Sequence, residues 1–108
     1  TLGLRCEVLR MVGHCHDHLQ SHAEAEKSYV KALKLTEGLP TGERLKISMD
    51  VLNGLGCNSL HNGDLVKAER YLKRAVALPA SEPEIPESMV CSQIAVCNSS
   101  LGRVCMMA

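Results

Sequence analysis

The chain has 108 residues, about one small domain, and its 12 basic and 12 acidic side chains cancel, leaving no net field to hold a phosphate backbone or an anionic membrane. Two tyrosines with no Phe or Trp leave no platform for unstacked bases, so neither nucleic acid nor membrane is expected as a partner. No apolar run approaches the ~18 residues of a bilayer span and no signal core follows the N-terminus, so a soluble chain of the cytoplasm, or of the nucleus, is expected.

Val8, Leu9, Val12, Cys15 and Leu19 recur at helical spacing and predict a first helix over about 4–19 with that stripe inward. Ser21 with Glu24 forms a capping-box pattern, predicting a second helix that carries Ala25, Tyr29, Ala32 and Leu33 inward and stops near Gly38. Leu39-Pro40-Thr41-Gly42 breaks the pattern. A third helix is expected over about 43–61, with Leu45, Met49, Leu52 and Leu55 inward. Asn62-Gly63-Asp64 then turns the chain into a fourth over about 65–78. Lys67, Arg70, Lys73 and Arg74, relieved by Glu69, read as its solvated face. Pro79, Pro83 and Pro86 mark an acidic connector, and Val90, Cys91, Ile94, Ala95 and Cys97 predict a fifth helix over about 87–102. All six cysteines fall in helical segments beside apolar residues, where reduced Cys acts as a small hydrophobe. No segment alternates with the period of a strand.

The chain repeats itself. A shift of 43 residues lays Leu9 on Leu52, Val12 on Leu55, Gly13 on Gly56, Ala25 on Ala68, Tyr29 on Leu72, Ala32 on Ala75 and Leu33 on Val76. A shift of 39 lays Leu52 on Cys91, Leu55 on Ile94 and Gly56 on Ala95. These positions resemble the tetratricopeptide repeat signature, in which an apolar residue and Leu-Gly mark the first helix of a hairpin, and Ala, an aromatic and Ala mark the second. Small residues at the helix crossings allow backbones to approach to ~8–10 Å. His16 and Ser59 stand where the pattern has an aromatic, and repeat one lacks the closing Pro. The periods exceed the usual ~34 residues and are similar to the longer-helix branch of kinesin light chains and Leu-Gly-Asn-repeat adaptors.

The resemblance implies an all-α fold, a right-handed superhelix of about two and a half hairpins spanning 1–108. Repeat one covers about 4–37, repeat two about 43–78, and an unpaired helix about 87–102. Val12, Ile94 and Ala95 count among the structural positions it implies. It also implies a concave groove lined by the first helix of each hairpin. Mapped in this way, Glu7, Arg10, His14, Asp17 and His18 come from repeat one. Asp50, Asn53, Cys57, Leu60 and His61 come from repeat two, and Met89, Ser92, Gln93, Val96 and Ser99 from the fifth helix. The family's clamp for a peptide carboxylate is not expected, because Met89 and Gln93 stand where it needs Lys and Arg.

His14, His18 and His22 recur at one-turn spacing, but two imidazoles on a face fall short of the three or four ligands of a zinc site, and no Cys-x-x-Cys or His-Glu-x-x-His accompanies them. Cys57 with His61 lacks an orienting third group and an oxyanion hole in the sequence. A non-enzymatic scaffold or adaptor segment without metal or cofactor is therefore expected, binding a peptide or helix in the groove. The alternative is a purely structural or self-associating segment, since the fifth helix has no partner helix before the chain ends and the start at Thr1 suggests a piece of a longer protein.

Overall fold

The computed structural model describes residues 1–107, so Ala108, the last residue of the expected domain, lies outside the described residues. Five α-helices make up the fold, α1 (Leu2–His18), α2 (His22–Leu35), α3 (Thr41–His61), α4 (Leu65–Ala77) and α5 (Cys91–Met107), with no strand among the described residues. The Thr1 hydroxyl caps α1 by accepting from the Leu4 N–H at 3.2 Å. Gln20 in the left-handed region (φ 62°) ends the helix, with the Ser21 N–H donating back to the His16 carbonyl at 2.8 Å. Ser21 sits at the N-cap of α2, but its hydroxyl makes no capping bond, so the expected capping box is not formed. Gly63 (φ 83°) turns the chain into α4, whose N-cap Asp64 accepts from the Lys67 N–H at 3.0 Å.

The boundaries of two helices differ from expectation. α3 begins at Thr41 because Pro40 fits the position just ahead of a first turn, where no N–H is required. α5 begins at Cys91 because Glu87–Met89 forms a separate 3-10 turn and Val90 departs from helical geometry (φ −126°, ψ 20°). It then continues to Met107, since nothing from Arg103 onward breaks a helix.

α1 and α2 pack on each other, and α3 lies against both; α4 packs on α3, and α5 lies against both α3 and α4. α3 is therefore covered on most sides, and Met49, Val51, Leu52 and Leu55 are fully buried along it. Tyr29, Leu72 and Cys97 close the core from α2, α4 and α5, with Val90 just ahead of α5. Across the second helices, Lys67 pairs with Glu26 at 2.7 Å and the Tyr71 hydroxyl donates to the same carboxylate at 3.2 Å. Ala25, Ala32, Leu52, Leu55, Gly56, Ala68, Leu72 and Ala75 are buried and Leu9 is half-buried.

The inward faces of α1 and α5 differ from those read in the sequence. Val8 (49% exposed), Val12 (39%), Leu19 (74%) and Cys15 face solvent, while Cys6, Gly13 and Asp17 are buried. Close approach decided the orientation: a Cβ at Gly13 would lie 3.0 Å from the Tyr29 ring, so the small-residue side of α1 is the side that lets the helix settle onto its neighbours. On α5, Cys91 and Ala95 are exposed. The inward positions are Gln93, Cys97, Ser100 and Val104, with Ile94 partly buried; the Ser100 hydroxyl meets the Cys57 thiol of α3 at 3.6 Å and Gln93 lies beside Asp50.

The glycines separate packing from backbone propensity. A Cβ at Gly56 would lie 2.5 Å from Leu72 Cγ, whereas one at Gly102 would meet nothing within 4 Å. Gly56→Ala is expected to destabilise by about 1–3 kcal/mol through overpacking. Gly102→Ala is expected to stabilise by about 0.5–1 kcal/mol through helix propensity. Urea unfolding followed by circular dichroism measures both.

Candidate binding site

A cavity of about 330 Å³ opens between α1 and α3. Arg10, His14, Asp17 and His18 reach it from α1, at helical intervals that place them on one face. Asp50, Asn53, Cys57 and His61 reach it from α3 with the same periodicity. Eight of the residues mapped to the groove thus share one cavity. Tyr29 of α2 forms part of its wall, passing beside both Gly13 and Gly54; a Cβ at Gly54 would stand 2.5 Å from the ring.

The other mapped residues lie elsewhere. Glu7 stands beside the cavity, paired with Arg10 at 2.8 Å. Leu60 is buried against Ala68, Leu72 and Val104, so it supports α4 and α5 and cannot line a groove. Ser92, Val96 and Ser99 are exposed on α5 but outside the cavity, and Met89 sits in the 3-10 turn beside Gly42. Gln93 is buried beside the Asp50 carboxylate, where it favours the charged form. In their place α5 supplies Arg103, outside the mapped set. Its signal was present in the interval Cys97, Ser100, Val104, which carries the helix past the expected end.

Asp17 organises the polar groups. Its side chain is only 8% exposed, and His61 Nδ1 lies 2.9 Å from its Oδ2. His22 Nδ1 lies 3.2 Å from its Oδ1 but is 3.0 Å from Asn58 Oδ1, and the Asn58 amide donates to the His22 carbonyl at 3.0 Å. One carboxylate thus draws together the end of α1, the start of α2 and the end of α3. Even so, Asp17 Oδ1 accepts no hydrogen bond, nor does the buried Asn53 Oδ1. His14 and His18 face one another with Nε2 atoms 3.1 Å apart and rings at 88°, one donating and the other accepting.

Burial raises the Asp50 carboxyl, opposed by Arg10 and reinforced by Glu7. The Tyr29 phenol is pushed up to about 12, first by burial and then by Asp17, against Arg10. Cys97, beneath the site, is pushed up to about 11 by burial, Asp50 and Cys57. Arg10 is held charged chiefly by its hydrogen bond to Glu7.

Asp17 does orient His61, a third group the sequence did not reveal, but the Cys57 thiol contacts the Ser100 hydroxyl at 3.6 Å, leaving no thiol–imidazole bond to transfer a proton. Among the described residues, no three His, Cys, Asp or Glu side chains come together as a metal-binding set. All six cysteines are free. No helix of the described residues is long and apolar enough to cross a membrane. No protein-family model matches the chain, and neither a curated protein nor a solved structure matches it.

The Tyr29 shift gives a stability signature. The folded pKa lies above the ordinary 10.0, so the contribution from burying the neutral phenol is complete below pH 10 and is lost as pH rises toward 12. The urea midpoint is expected to fall across that interval, and Tyr29→Phe to flatten the fall relative to wild type.

Proposed function

We propose that the chain is a non-enzymatic protein-binding module, a scaffold or adaptor segment that holds a peptide or helix against the α1–α3 face. The observation that carries this reading is the cavity itself, which gathers polar side chains from two successive first helices around buried, unsatisfied acceptors. Packing supports the architecture behind it. α5 lies on α3 and α4 as α3 lies on α1 and α2, a repetition that suits a tetratricopeptide-like right-handed superhelix of two hairpins and one unpaired helix. Within such a trough a guest gains oriented polar contacts at the cavity, and the free thiols suit a reducing, intracellular setting.

A specific observation favours the second reading, self-association. Leu4, Val8, Met11 and Val12 are exposed along α1, and Val96, Met106 (89% exposed) and Met107 along α5. Both ends of the stack carry bare apolar surface. Sedimentation equilibrium distinguishes it, with concentration-dependent dimers expected from self-association and a monomer from a module that takes foreign peptides.

The binding reading is tested by selecting a displayed random-peptide library on the chain. Selected peptides are expected to lose at least about tenfold in affinity against Asn53→Leu or His14→Ala. They should bind unchanged to Lys31→Ala, on the outer face of α2. Equal binding to all three variants would place recognition elsewhere.

A further inference from the structure

We propose that the α1–α3 cavity takes a basic side chain, arginine in preference to lysine, from the bound peptide. The inference rests on the reading of this face as a peptide site and names the chemistry it selects.

The first ground is hydrogen bonding. Asp17 and Asn53 line the cavity, and each keeps one buried oxygen without a donor. The nearest donors on the wall turn elsewhere, Arg10 to Glu7, His61 to Asp17 Oδ2, and one of His14 and His18 to the other, and no donor on the wall reaches these two oxygens. His22, the imidazole nearest Asp17 Oδ1, has Asn58 Oδ1 closer. A buried acceptor left unmade costs about 1–3 kcal/mol, so the site favours an occupant that donates. A guanidinium brings five N–H groups in a rigid fork and accepts nothing, which suits a wall that offers acceptors.

Charge is the second ground. Asp17, Asp50 and the adjacent Glu7 carry one more negative charge than Arg10 and Arg103. A single guest cation balances the set. It also stabilises the Asp50 carboxylate, whose charged form burial disfavours. The cavity, about 330 Å³, lies at the lower end of ligand pockets and suits one long side chain better than a larger molecule.

Arg103 gives the proposal a distinctive consequence. It lies exposed at the cavity and forms no ion pair among the described residues. Since Arg10 is paired with Glu7, Arg103 is the unpaired cation of the chain at the site, and it opposes a guest cation. Removing it should tighten a basic guest and weaken an acidic one.

The test is a random-peptide display selection on the whole chain at neutral pH. Fluorescence anisotropy then follows an enriched peptide carrying either arginine or its neutral isostere citrulline at the shared position. The expected result is a fixed Arg or Lys, at least about tenfold weaker binding of the citrulline peptide, a similar loss on Asp17→Asn and on the milder Asn53→Ser, and severalfold tighter binding to Arg103→Ala. Circular dichroism verifies each variant's fold, and the surface change Arg103→Ala keeps the test decisive should the buried variants unfold. Cavity-dependent peptides without a fixed basic residue, or with an acidic residue or free carboxylate there, would overturn the proposal and leave the binding reading standing. Enrichment that ignores the cavity, or none, would overturn both.

Discussion

The Tyr29 ring lies between two glycines, Gly13 of α1 and Gly54 of α3, and the rest of the molecule is arranged around that contact. A Cβ would stand 3.0 Å from the ring at Gly13 and 2.5 Å at Gly54, so the three helices meet at a distance that favours the smallest residue at both points. Close approach there turns the small-residue side of α1 inward. His14 and His18 then come to face Asn53 and Cys57 across a narrow space, with the phenol in the wall between them.

A second layer of constraint is polar. Asp17, buried at the end of α1, draws His61 from the end of α3 and His22 from the start of α2, and Asn58 closes the group by bonding both the ring and the backbone of His22. A network of this kind adds stability only when its members are satisfied. Here Asp17 Oδ1 and Asn53 Oδ1 are not. The same close packing that forms the cavity keeps these oxygens from bulk water.

Much of this was legible in the residues. Five helices and their turns follow from periodicity and from the Pro and Gly punctuation, and the pairing of Gly13 with Gly56 and of Ala25 with Ala68 marks buried positions from the residues alone. Less legible was which side of α1 turns inward, because the apolar stripe of Val8, Val12 and Leu19 was weighed above the small residues that govern approach. α5 misled for the opposite reason. Its buried face includes Gln93 and Ser100, polar residues whose neighbours on α3 are distant in sequence. Arg103 lines the cavity from beyond the helix end that the apolar spacing predicts. Leu60 was placed in the groove by analogy of position alone, whereas α5, folding back over α4, covers it.

The most direct measurement of the central claim, that small-residue contact sets the α1 face and hence the cavity, is the pattern of nuclear Overhauser effects from the Tyr29 ring. Strong cross-peaks to the Hα atoms of both Gly13 and Gly54, with Val8 and Val12 methyls showing none to α2 or α3, are the expected result. Cross-peaks from Val8 and Val12 into the core, with none from Tyr29 to Gly13, would turn His14 and His18 away from α3 and contradict the cavity and the recognition built on it.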